Sequence, residues 1–311
     1  MSDTHIYNSI LIVGGGLIGS SFARACHERG AAKTVIITDH NAKVRSRLSE
    51  LGVGDHVAEY PSAAAKAAAE ADLVVLAVPP GVMGEAAKAV AGHMKKGAVL
   101  SDVGSVKESI IAAVTPHLPS GVVFIGGHPI AGTENSGPDA GFSSLFHDRW
   151  CILTPEHPNS AAAKKLASLW QLLGSRTANM DAKRHDLVLA TTSHLPHLIA
   201  YTLVGTATDM EEVTRNEVVK YSAGGFRDFT RIAASDPVMW RDVFLGNKDG
   251  VLEVLERFIE DLTAMKRAIR WDEGDKLHEE FSKTRNIRRR IVDAGQDSAA
   301  PNFGRDHLEE D

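Results

Sequence analysis

The chain has 311 residues, enough for two domains with buried cores, and a formal net charge of −6 with a pI near 6.2. That balance argues against a surface for nucleic acid or anionic lipid. Cys26 and Cys151 are too few for a disulfide framework, and the start Met1-Ser2-Asp3-Thr4-His5-Ile6 lacks the basic-then-apolar pattern of a signal peptide, so a cytoplasmic location is expected.

The first expected element is an apolar strand, Ile10-Leu11-Ile12-Val13, running into Gly14-Gly15-Gly16-Leu17-Ile18-Gly19 and then a helix. Gly14, Gly16 and Gly19 have the G-x-G-x-x-G spacing. The first permits a tight turn, the second lets backbone approach a pyrophosphate, and the third lets helix and strand pack closely. Free N–H groups at the helix start, including those of Leu17 and Ile18, then face the phosphates. A second strand, Thr34–Thr38, ends at Asp39, where a carboxylate suits the adenosine ribose hydroxyls. A carboxylate there favours NAD. Lys43 and Arg45 keep NADP as the disfavoured alternative, because no arginine directly follows Asp39.

Further short apolar strands are expected at Asp72–Val78, Ala98–Ser101, Val122–Ile125 and Trp150–Thr154, with crossover helices at Ser62–Ala71 and Met83–Met94. Pro79-Pro80 stops one strand at the sheet edge where ligands bind. From about Asp181 the pattern turns helical: Lys183–Leu195, Pro196–Glu217, Val238–Asn247 and Asp249–Asp272. Leu187–Thr208 carries no formal charge, yet its Thr, Ser, His and Pro residues make it too polar for lipid. Burial between two subunits suits it better, so a homodimer is expected. The expected fold is an α/β Rossmann-type doubly wound parallel sheet over residues 1–180, then an all-α substrate and dimerisation domain over 181–292. A flexible polar tail is expected over 293–311.

Four clusters could carry chemistry: Asp102-Val103-Gly104-Ser105-Val106-Lys107, His128-Pro129-Ile130-Ala131-Gly132-Thr133-Glu134, Ser193-His194-Leu195-Pro196-His197, and Gly224–Arg231 with Trp240 beyond. His128, directly after a strand, is the strongest base candidate, because hydride loss from a C–OH carbon requires the oxygen to lose its proton. Ser105 could orient it or bind the substrate oxygen. Arg231 is the best carboxylate ligand; its plainer reading is a surface arginine paired with Asp228 or Asp236. The plainer reading of His128 is a structural residue. No metal is expected, since His194 and His197 share a helix face without a third ligand or an H-E-x-x-H pattern.

In this order, the glycine fingerprint, D-V-G-S-V-K, H-P-I-A-G-T-E, S-H-L-P-H and G-F-R-D-F-T-R-I-A-x-S-D-P-x-x-W resemble the prephenate and arogenate (cyclohexadienyl) dehydrogenases of tyrosine biosynthesis. The resemblance runs from about Ile10 to Arg290. It implies NAD-dependent oxidative decarboxylation of prephenate, L-arogenate or both, with prephenate favoured. It implies that His128 takes the ring hydroxyl proton, that Ser105 bonds both that histidine and the hydroxyl, and that Arg231 clamps the ring carboxylate. His197 and Ser193 then lie near the substrate side chain, and Trp240 closes the pocket. Two rival readings are a β-hydroxyacid dehydrogenase, with Lys183 or Lys220 as base, and a non-catalytic NAD sensor that needs none of these groups.

Overall fold

The computed structural model describes residues 5–133, 135–209 and 224–293. Glu134, Lys220, the expected helix beyond residue 209 to Glu217, and the tail beyond Asp293 lie outside the described residues.

Strand β1 (Tyr7–Val13) is buried throughout its apolar run Ile10–Val13, as a strand covered on both faces should be. Helix α1 (Leu17–Glu28) starts from Gly16, which caps it with backbone and no side chain. Gly14 has φ +114°, and a Cβ on it would collide with the Ala77 carbonyl. A Cβ on Gly19 would collide with the Gly14 carbonyl. Only glycine permits this strand–turn–helix approach.

The remaining strands are β2 (Ala32–Asp39), β3 (His56–Glu59), β4 (Leu73–Leu76), β5 (Val99–Asp102), β6 (Val123–Pro129), β7 (Trp150–Thr154) and β8 (Arg176–Asn179). They form one sheet in the order β3-β2-β1-β4-β5-β6-β7-β8. The order reverses between β1 and β4, whose register pairs Leu11 with Val74 and Val13 with Leu76. Every neighbouring pair is parallel except β6 and β7. That antiparallel step departs from the expected all-parallel sheet. Among its described residues, the segment joining β6 to β7 holds short 3₁₀ turns at Pro138–Ala140 and Ser143–Phe146 and no crossover helix, and β7 returns antiparallel. β3 and β8 were not among the expected strands. Both are polar, short and only partly buried, and lack the apolar run that marks a central strand.

Helices α2 (Ala42–Glu50), α3 (Ser62–Glu70), α4 (Met83–Val90), α5 (Glu108–Val114) and α6 (Ala161–Leu172) cover the sheet with α1. One core layer packs Phe22, Phe146 and Trp170 with the apolar strand residues, Phe22 and Trp170 having ring centroids 5.1 Å apart. The other gathers Leu11, Leu76, Met83, Leu100 and Ile110, and reaches Trp240 and Val243.

After β8 the described chain is helical. Helix α7 (Ala182–Leu189) passes through a π turn, Ala190–His194, into α8 (Leu195–Asp209). The expected break at Pro196 is thus a wider turn. The proline lacks an N–H and its ring crowds the carbonyl four residues back, and a π turn accommodates both. Residues Ala182–Thr208 are long and apolar enough by composition alone to cross a bilayer, with a mean hydropathy of 1.3. Helices α9 (Gly224–Thr230) and α10 (Pro237–Gly246) follow, then α11 (Lys248–Arg270) and α12 (Gly274–Asp293). The chain divides into two compact units, Met1–Leu252 and Glu253–Asp311.

Candidate active site

β5 and β6 are adjacent parallel strands, and both end at the sheet's carboxyl edge. That edge carries Asp102 as the last residue of β5 and His128 near the end of β6. His128 is 7% exposed, and its Nδ1 lies 2.8 Å from Nε2 of His185. His185 is fully buried, and its Nδ1 lies 2.8 Å from Oδ1 of Asp186.

Protonation along this chain follows from its end. The Asp186 carboxylate accepts N–H bonds from Lys107 (2.8 Å) and Glu108 (2.9 Å) at the start of α5, so it stays an acceptor. His185 must then carry its hydrogen on Nδ1 and present a bare Nε2. His128 donates to that Nε2 through Nδ1–H, which leaves its own Nε2 as a lone pair. Burial pushes His128 well below the usual histidine range, and His185, Lys107 and His194 push it the same way. The ring is therefore neutral near pH 7 and ready to take a proton.

Ser105 is half-buried in the loop between β5 and α5, on the same edge as His128. The hydrogen-bond partner of His128 Nδ1 is His185, which the sequence did not suggest. His194 is fully buried; its Nδ1 lies 3.1 Å from Asn247 Nδ2, which also donates to the Asp186 carbonyl at 2.7 Å. The carbonyl identifies that atom as the amide nitrogen, so His194 Nδ1 is an acceptor and Nε2 holds the hydrogen. Burial lowers the His194 pKa to about 4, against the raising effects of Asp186 and the Ser105 backbone.

A second group surrounds His197. Its ring stacks on Trp240 with centroids 3.6 Å apart and planes 22° apart. Its Nδ1 donates to the Ser193 carbonyl at 2.9 Å, one turn back through the π segment. Burial lowers the His197 pKa, and the nearby positive charge of Arg231 lowers it further while the Ser193 bond raises it. Arg231 is half-buried in a 3₁₀ turn, Arg231–Ala234. The T-shaped pair of His194 and Trp240, 6.1 Å between centroids, joins this group to the first. His185, Asp186 and His194 lie in or beside the long apolar helical run, and all three are tied into the protein by hydrogen bonds. Along the rest of the run Leu187, Val188, Leu203 and Val204 remain exposed.

The dinucleotide residues lie along the same edge. Asp39 ends β2, and its side chain is 12% exposed. Its carboxylate accepts from the Gly15 N–H at 2.9 Å and the Asn41 N–H at 2.8 Å, leaving lone pairs for ribose hydroxyls. A Cβ on Gly16 would meet nothing within 4 Å, so the turn opens beside the uncapped first residues of α1, Leu17 and Ile18. This cradle fits a pyrophosphate. Arg45 donates to the carbonyls of Asp39 (2.8 Å) and His40 (3.0 Å).

Of the two lysines that the hydroxyacid dehydrogenase reading offered as base, Lys183 is exposed on α7 and cannot serve inside a pocket. His185, Asp186 and Asn247 were missed by the sequence reading. One signal was available: His185-Asp186 are the last titratable pair before the uncharged stretch from Leu187.

Comparison with known proteins identifies the family. The family model described as the prephenate dehydrogenase nucleotide-binding domain matches residues 22–179, and the prephenate dehydrogenase dimerization domain matches residues 181–283. A cyclohexadienyl dehydrogenase of Zymomonas mobilis is 44% identical over 91% of this chain and 96% of its own length. A prephenate dehydrogenase of Bacillus subtilis is 32% identical over 90% of this chain and 75% of its own. The crystal structure of prephenate dehydrogenase from Aquifex aeolicus, in complex with hydroxyphenyl propionate and NAD+, superposes with a TM-score of 0.83 at 34% identity. It covers 91% of this chain and 98% of that one. A glycine cradle, a buried strand-end histidine held neutral, and two family models that together span most of the sequence lead to one assignment: the chain belongs to the prephenate dehydrogenase family.

Proposed function

We propose that the protein catalyses NAD-dependent oxidative decarboxylation of prephenate, and of L-arogenate at the same site, in tyrosine biosynthesis. The observation that carries the mechanism is the Asp186–His185–His128 chain, which leaves a neutral acceptor nitrogen at the sheet's ligand edge. NAD+, when bound, supplies the hydride acceptor for ring C4. His128 Nε2 takes the 4-hydroxyl proton as that hydride leaves. The bond from the ring to its carboxylate then breaks, CO2 departs, and the electron pair completes the aromatic ring. The proton returns from His128 to the phenolic oxygen, so the base is regenerated. Ser105 hydrogen-bonds the hydroxyl. Arg231 holds the ring carboxylate, while His197, Ser193 and Trp240 surround the side chain. Gly14, Gly16, Leu17, Ile18, Gly19 and Asp39 hold the cofactor.

Residues 1–180 form the NAD domain in this reading and 181–292 the substrate and dimerisation domain, with two copies joined through the helical part. The protein works in the cytoplasm on a small-molecule substrate. An exposed apolar stripe on α11 supports the dimer: Leu252, Ile259, Leu262 and Ile269 recur at heptad-related positions and are 44%, 52%, 56% and 63% exposed.

The test follows NADH absorbance with NAD+ and prephenate or L-arogenate in separate assays. NADH with both supports the broad specificity proposed, and NADH with one alone narrows the substrate. Silence with both, in protein shown to bind NAD+, overturns the proposal.

A further inference from the structure

Beneath the strand end that carries His128 lies an ion pair between Lys107 and Asp102, neither side chain exposed at all. A fully buried pair is a poor source of stability, because desolvation offsets the attraction and an apolar pair often does as well. Its hydrogen bonds indicate a different use. Asp102 Oδ1 accepts from the Gly127 N–H at 3.1 Å, and Lys107 Nζ donates to the Gly127 carbonyl at 2.8 Å. Asp102 Oδ2 accepts from the Gly104 N–H at 2.8 Å as well as from Lys107. Gly127 directly precedes His128, and Gly104 directly precedes Ser105. One pair therefore grips both peptide segments that lead into the site. Gly126 leaves room for it: a Cβ there would collide with Thr154 Oγ1 and sit 3.2 Å from Lys107 Cδ.

We propose that Asp102 and Lys107 are positioning residues for the reaction, locking the strand ends that carry His128 and Ser105 in one relative geometry. The lysine charge adds a second effect, since it helps to hold His128 neutral after burial and His185 have done most of that work. The groups around His128 are His185 and Asp186 from α7, His194 from the π turn, Lys107 and Asp102 from the β5–α5 segment, and Cys151 from β7. Burial keeps the Cys151 thiol protonated.

The proposal rests on His128 being the base. The test measures kcat and kcat/KM against pH, with NAD+ and prephenate, for Lys107→Met, Lys107→Gln, Asp102→Asn/Lys107→Met and His128→Asn. Lys107→Met should lower kcat about 10- to 100-fold, the scale of a small misplacement at a reacting centre, with KM little changed. Its acidic limb should move to higher pH, because losing a nearby positive charge lets His128 hold its proton more easily. Lys107→Gln keeps an N–H donor for the Gly127 carbonyl, so it should regain most of kcat while its limb stays shifted. If Lys107→Met does not fold, the double variant leaves no lone buried charge and should show the same loss of kcat at a native melting temperature, with a smaller limb shift because the Asp102 charge is removed as well; a wild-type kcat in that variant overturns the proposal. A folded variant with wild-type kcat and an unmoved limb overturns the proposal. So does a loss of activity that only follows a lowered melting temperature, with the limb in place. His128→Asn separates the two levels. Retained turnover there removes the base assignment itself; lost turnover there, beside unaffected Lys107 variants, removes only the positioning role.

Discussion

At the scale of single residues, the site's chemistry depends on which ring nitrogen carries a hydrogen. Asp186 fixes His185, and His185 fixes His128, so the free lone pair on His128 is decided two residues along the hydrogen-bond chain. His185→Gln should therefore lower kcat roughly 10- to 100-fold with KM nearly unchanged, since an amide orients the base less well. His128→Asn should cost more, roughly 10²- to 10⁴-fold in turnover, the usual worth of a general base. Steady-state kinetics check both, and equal losses in binding and turnover would show that the ring is structural. In the proposed mechanism Arg231 makes a different contribution. Decarboxylation requires the ring carboxylate to give up its counter-ion, so the guanidinium should aid binding more than the transition state. Arg231→Ala should raise KM by roughly 10- to 150-fold, matching the 1.5–3 kcal/mol of a charged hydrogen bond, and lower kcat less. Collapsed kcat at unchanged KM would contradict that assignment.

At the scale of elements, the segment from α7 through the π turn into α8 concentrates histidines, His185 and His194 buried and His197 half-buried. His185, His194 and His197 all have lowered pKa values, and burial is the largest cause for each. For a histidine depressed in the folded state, stability is complete above the unfolded pKa of about 6.5 and declines as pH falls, because the unfolded chain binds protons that the folded one refuses. For His194 that window runs from 6.5 down to about 4. Melting temperature should therefore drop as pH falls through this range, and a His194→Gln variant should show a shallower drop. A flat profile would mean these rings find charge compensation on protonation. The same segment shows what a sequence can disclose. The glycine turn is legible because its glycines meet Ala77, Gly14 and a nearby strand through local spacing, and the central strands are legible because both faces are apolar. His128 is legible as a polar residue directly after such a strand. Its partner is not, since His185 lies 57 residues away in the chain, and the Lys107–Asp186 contact spans 79. The antiparallel turn of β7 and the polar edge strands β3 and β8 escape for a related reason: pairing with a neighbour, not composition, makes them strands.

At the scale of the whole molecule, one chain leaves much apolar surface uncovered in its helical part. Besides the α11 stripe, Trp271 is 69% and Phe281 59% exposed. The match of residues 181–283 to a dimerization domain points to a second copy as the cover. Leu262 is the best single probe, because it lies mid-stripe, is 56% exposed and belongs to no hydrogen-bond network of the site. Leu262→Glu should leave the fold of one chain intact, since little of that side chain is buried within it, while placing a charge inside an apolar seam at a cost of several kcal/mol per interface. Light scattering at micromolar concentration should then report about the 33.4 kDa of one chain where the wild type reports twice that mass. NAD+ affinity should stay unchanged, because the glycine turn, Asp39 and the His128–His185–Asp186 chain all lie within residues 14–186 of a single copy. A wild-type protein that is already monomeric would remove the dimer. A Leu262→Glu dimer with native affinity for NAD+ would instead move the interface off α11, toward the exposed face of α8 that carries Leu203 and Val204.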